Sequence, residues 1–150
     1  MGKQGMARQP SATPSAARWL GLAGLIPFAA AAGAGMVPVA PLHDLALQAL
    51  LAYGAVILSF LGGIRWGLAT AMVEDPAALS GPLCASVLPA LLGWFALLVP
   101  ASAGLIVLAL GFAAMLLADL RLTMAPPWYR SLRLPLSAGA ITALLVGLVT

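Results

Sequence analysis

The sequence predicts an all-α membrane protein, a five-transmembrane-helix bundle with the N-terminus inside and the C-terminus outside. Three observations carry this. Apolar runs of roughly 20 residues, the length that a bilayer crossing needs, recur along the chain. Hydrophobic residues make up 63% of the 150 positions and charged residues only 7%, against about 25% charged in soluble domains; mean hydropathy is +1.07. Finally, once five spans are counted, every Lys and Arg except Arg65 falls on one side of the membrane.

The elements follow in order. Residues 1–17 are polar, basic and free of acids. They read as a disordered tail, loosely compatible with a targeting segment. The first span is placed at 18–37, rich in Gly and Ala, with a kink expected at Pro27. Pro38 and Pro41 end it and open a short loop through His43 and Asp44, where Asp44 suits a helix N-cap. The second span, 45–72, is long enough to cross with tilt. Residues 72–81 form a turn region, in which Asp75-Pro76 has the pattern of an N-cap with proline at the first helical position. The third span is 82–99 and the fourth 101–120. The short connection around Pro100 makes these two an antiparallel hairpin. A loop over 121–133 holds Trp128-Tyr129-Arg130, amphipathic rings beside arginine that suit a headgroup layer. The fifth span is 134–150. Together the spans leave no room within these residues for a separate soluble catalytic domain.

Orientation follows from charge and parity. Lys3, Arg8, Arg18, Arg121, Arg130 and Arg133 share the side of the N-terminus. The opposite loops carry no Lys or Arg, so the positive-inside rule sets the N-terminus inside. Basic residues this sparse serve topology, and no nucleic-acid partner is expected. The bilayer itself is the predicted partner, with other membrane proteins or a second copy of the chain packing against it.

Two features could carry function. Arg65 lies within the most apolar stretch, where hydrocarbon cannot solvate a guanidinium. Asp119 falls near the same end of the fourth span, so Arg65 and Asp119 are a candidate intramembrane ion pair. The alternative for Arg65 is snorkelling to lipid headgroups. The second feature is small-residue spacing. Ser59, Gly63 and Gly67 share one helix face, as do Gly139, Ala143 and Gly147, and such faces let another backbone come close. Arg65 projects about 200° from Gly63 at about 100° per residue, so the two faces need different neighbours and the second span should be central.

Other chemistry finds little support. Cys84 is the sole cysteine and His43 the sole histidine, so neither a disulfide nor a zinc or iron–sulfur spacing is available within the chain. Cys84 reads as a buried structural thiol. Glu74-Asp75 reads as a solvated turn, and the serines have no base beside them for nucleophilic catalysis. No catalytic, metal or cofactor-binding residue is assigned. None of the four acids is mid-span, which disfavours proton-coupled transport. The function expected is therefore that of a non-enzymatic accessory or assembly component of a membrane complex, with a small-solute or ion transporter as the alternative.

Four stretches resemble one family. They are Trp19-Leu20-Gly21-Leu22-Ala23-Gly24-Leu25-Ile26-Pro27-Phe28; Tyr53 through Gly67, with Ser59-Phe60-Leu61-Gly62-Gly63-Ile64-Arg65-Trp66-Gly67 the most specific part; Ser86-Val87-Leu88-Pro89-Ala90-Leu91-Leu92-Gly93-Trp94; and Trp128-Tyr129-Arg130 followed by Leu132-Arg133-Leu134-Pro135. In order, over roughly residues 18–148, they resemble transmembrane protein 69-like proteins. The resemblance implies a domain of unknown function in a bacterial inner membrane, with the mitochondrial inner membrane as the alternative. It implies no substrate and no catalytic residue.

Overall fold

A computed structural model describes residues 15–73, 75–121 and 127–150. The predicted tail up to residue 14, Glu74, and the stretch 122–126 lie outside the described residues. Among the described residues there are six helices in chain order: α1 (Ser15–Ala23), α2 (Ile26–Gly35), α3 (Ala40–Met72), α4 (Pro76–Ala96), α5 (Ala101–Arg121) and α6 (Pro127–Val149). α1 and α2 together make one membrane-length segment, and α3, α4, α5 and α6 supply four more, giving five. Among the described residues there is no strand.

The first span is broken rather than merely kinked. The break falls at Gly24 and Leu25, just before Pro27. Proline has no N–H and its ring clashes with the carbonyl four residues back, which here is in α1, whereas the first turn of a new helix accepts it. A carbonyl at the break finds a partner elsewhere: the Tyr53 hydroxyl of α3 donates to the Gly24 oxygen at 2.9 Å.

α3 starts at Ala40, five residues earlier than the predicted span. Its N-cap is Val39, with Pro41 in the first turn. Asp44 therefore lies inside the helix and exposed, not at the cap that its sequence context suggested. Proline decided the boundary, because its fixed φ suits the first turn. His43 is also helical, and its Nδ1 donates to the Gly35 carbonyl at 2.8 Å, occupying an acceptor at the end of α2. With 33 residues, α3 is about 50 Å long at ~1.5 Å per residue.

α4 extends back to Asp75, whose side chain accepts from the Ala77 N–H at 2.9 Å. The turn predicted over 72–81 is thus mostly helix, and it runs on through Pro82 and Pro89. α4 ends at Ala96, and α5 begins at Ala101 as the predicted hairpin partner. α6 begins at Pro127, seven residues before the predicted fifth span, so Trp128, Tyr129, Arg130 and Arg133 are helical and not loop residues.

α3 is central and packs on α2, α4, α5 and α6. Leu50 and Leu58 of α3, Leu105, Leu108 and Phe112 of α5, and Leu144 of α6 are almost fully enclosed. Phe28 sits edge-on to Tyr53 and Phe112, with ring centroids 4.9 and 5.8 Å away. Cys84, expected to be buried, is exposed. Among the described residues α4 packs chiefly on α3 and α5, and the cysteine lies on its outward side.

Candidate functional site

Asp119 is, among the described residues, the most deeply enclosed charged one, at 1% exposure. It sits in the last turns of α5 and draws in two other helices. Arg133 of α6 donates through Nε to Asp119 Oδ2 at 2.7 Å. Arg65 of α3 donates through Nη1 to Oδ1 at 3.3 Å. The Tyr129 hydroxyl of α6 lies 3.4 Å from Oδ2 as a third donor. A buried carboxylate is stable only when paired and hydrogen-bonded, and here both oxygens are engaged.

The partners are unequal. The 2.7 Å contact has the length of a charge-assisted bond, whereas 3.3 Å is at the long end. The Arg65 side chain also keeps 22% exposure, against 8% for Arg133. Arg133 is therefore the principal partner of Asp119, and Arg65 is the more solvated flank.

The sequence points to Arg65 and Asp119 but not to Arg133 and Tyr129, because a fifth span beginning at 134 leaves both of them in the 121–133 loop. The signal was present. Proline at the first position of a helix starting at Pro127 puts Tyr129, Arg133 and Ser137 four residues apart on one face.

The two small-residue faces have different fates. On α6, Gly139 packs on Leu25, Gly147 on Leu50 and Leu105, and Ala143 is buried. On α3, the Ser59 hydroxyl donates to the Ala55 carbonyl of its own helix at 2.9 Å. Gly63 and Gly67 face open space. The close approach on α3 is made by Gly62, where an added Cβ would collide with the Ser86 carbonyl of α4. On the same interface, Gly93 of α4 lies against the backbone of Ala55.

Beside the charge cluster, a partly open cavity of about 400 Å³ lies between α1, α2, α3 and α6, with Phe112 of α5 contributing to its wall. Its lining is apolar except near Tyr129, Arg133 and Ser137. Among the described residues, no group of three or more His, Cys, Asp or Glu side chains could hold a metal ion.

Comparison with known proteins supplies a family. A family model described as "Protein of unknown function (DUF3429)" matches residues 13–149. The chain belongs to this family. Among curated proteins it is similar to transmembrane protein 69 of Xenopus tropicalis, at 40% identity over 91% of this chain and 54% of that protein. It is also similar to transmembrane protein 69 of Mus musculus, at 32% identity over 91% of this chain and 57% of that protein. The chain thus spans about half the length of the curated relatives it matches. No solved structure matches it. Family membership and, among the described residues, five helical segments of membrane-spanning length and composition agree: this is a transmembrane protein.

Proposed function

We propose that the protein is a non-enzymatic accessory or assembly component of a membrane complex, in a bacterial inner membrane or, alternatively, a mitochondrial one. The observation that carries this reading is the open glycine strip on α3. Gly62, Gly93, Gly104, Gly111, Gly139 and Gly147 are all spent on contacts within the chain, whereas Gly33 of α2, Gly81 of α4, and Gly63 and Gly67 of α3 meet nothing within 4 Å, and of these four only Gly63 and Gly67 lie four residues apart on one helix. Bare helix backbone in lipid is suited to a close approach by another helix, since van der Waals packing between small residues drives such association. Exposed Phe60 and Trp66 beside the strip add contact area. The engagement of Asp119 by two guanidiniums and a phenol also speaks for a packing role rather than for a free catalytic carboxylate.

Purification in mild detergent, with identification of what co-purifies, tests the reading. Gly63→Leu with Gly67→Leu should leave the folded protein intact and remove a co-purifying membrane protein or a second copy of the chain. A lone monomer that is stabilised by a small solute would favour the transporter alternative instead. The proposed orientation, N-terminus inside, rests on the basic residues clustered at one end of the bundle. A reporter fused after Thr150 should be active only on the outer side, and a cytoplasmic signal there would reverse the assignment.

A further inference from the structure

The charge cluster is unbalanced, and its surplus borders the cavity. Two guanidiniums, Arg65 and Arg133, share one carboxylate. Arg133 is only 7% exposed, and while its Nε binds Asp119, its buried Nη2 has no hydrogen-bond partner. One turn further along α6, the Ser137 hydroxyl is also buried and unpartnered, at 1% exposure. Buried donors without partners are costly, and a buried guanidinium in excess of its counter-charge more so. Both residues line the same cavity.

The cavity has the shape of an amphiphile's binding site. Its volume of about 400 Å³ falls within the range of small-molecule pockets, about 300–1,000 Å³, which are mostly apolar with a few convergent polar groups. The polar groups are gathered on the α6 wall, at Tyr129, Arg133 and Ser137. From there the apolar lining continues along α6 to Ala140 and across to Leu25 and Phe28, away from the charged end of the bundle. α1 has no buried residue and packs on α6 without a comparable contact to α3, which leaves the side between α1 and α3 loosely closed. An acyl chain entering laterally would lie along the helices with its head at the charged end, the direction lipids take in that leaflet.

We propose that this cavity binds an acyl-chain anion, with the chain against Leu25, Phe28 and Ile57 and the anionic head on Arg133 Nη2 and Ser137 Oγ. The head supplies the missing counter-charge and both missing acceptors. A free fatty acid and one chain of an anionic phospholipid share this chemistry. The site is independent of the open glycine strip on α3, so the accessory reading can fail without it.

The test uses the full chain in phosphatidylcholine nanodiscs at a pH where oleate is ionised, with radiolabelled oleate as the probe. Saturable binding of one oleate per chain is expected. Oleyl alcohol, with the same chain and no charge, should compete at least about tenfold less well, the loss expected when hydrogen bonds to a charged group disappear. Ser137→Ala should weaken oleate binding about tenfold without lowering the melting temperature of the unliganded protein, because it deletes a hydroxyl that has no partner. Arg133→Lys, which keeps a positive charge near Asp119, should weaken it further, and Ile57→Trp should block the chain's place. Displacement of oleate by added phosphatidylglycerol would identify the bilayer as the source; failure to displace it would identify the free acid. Equal competition by oleyl alcohol, or unchanged affinity in Ser137→Ala, would overturn the proposal.

Discussion

Replacing Asp119 with Leu should be the most damaging single change at the charged end of the bundle. The carboxylate is 1% exposed and is the shared acceptor for Arg65, Arg133 and Tyr129. Its loss leaves two guanidiniums with no counter-charge between them. Breaking a buried pair from one side costs about 3–5 kcal/mol, because the remaining charge is stranded. Arg133 bears that cost in full, being buried with its stem packed inside the bundle. Arg65 can relax toward water or headgroups, since its side chain is already 22% exposed. Arg133→Leu leaves Asp119 with only the 3.3 Å contact to Arg65 and the weak Tyr129 bond, for a loss of about 2–3 kcal/mol. Arg65→Leu leaves the 2.7 Å bond intact and makes the cluster neutral, so it should cost about 1 kcal/mol or less. Reversible unfolding in mixed micelles, followed by circular dichroism, would measure all three. The Arg133–Asp119 double-mutant cycle should show the larger coupling, and the Arg65–Asp119 cycle the smaller. If Arg65→Leu proves as costly as Asp119→Leu, or the Arg65 coupling exceeds that of Arg133, the unequal sharing of Asp119 is refuted.

Gly62→Ala should destabilise by about 1–3 kcal/mol, because its Cβ would meet the Ser86 backbone carbonyl, while Gly63→Ala next to it should be neutral or slightly stabilising; the same unfolding assay compares them. Tyr53→Phe should cost about 1 kcal/mol by removing the donor to the Gly24 carbonyl, and hydrogen exchange should speed up around the α1–α2 break. Asp75→Ala should cost about 1 kcal/mol through loss of the α4 cap, with fraying at the start of α4 in the exchange pattern.

Sequence alone determined the class of molecule and the number of crossings. Hydrocarbon demands that every backbone group be satisfied within its own segment, so long apolar runs can be little other than helices. It also singled out Arg65 and Asp119, because a charge in an apolar run stands out against that background. The boundaries were less legible. Pro41, Pro76 and Pro127 all sit in first turns of helices, and proline reads equally well as a breaker or a starter until the neighbouring helices are in place. The α3 start carried His43 and Asp44 into the helix, and the α6 start carried Arg133 from a loop to the buried side of Asp119. Which glycines are spent and which stay open was likewise hidden. Gly62 and Gly63 are adjacent and chemically identical, and only the position of α4, against one side of α3, distinguishes the packed one from the bare one. The cavity belongs wholly to the tertiary structure. Its walls come from residues far apart in the chain, and it exists because α1, cut from α2 at Gly24 and Leu25, packs on α6 while the space between it and α3 is left unfilled.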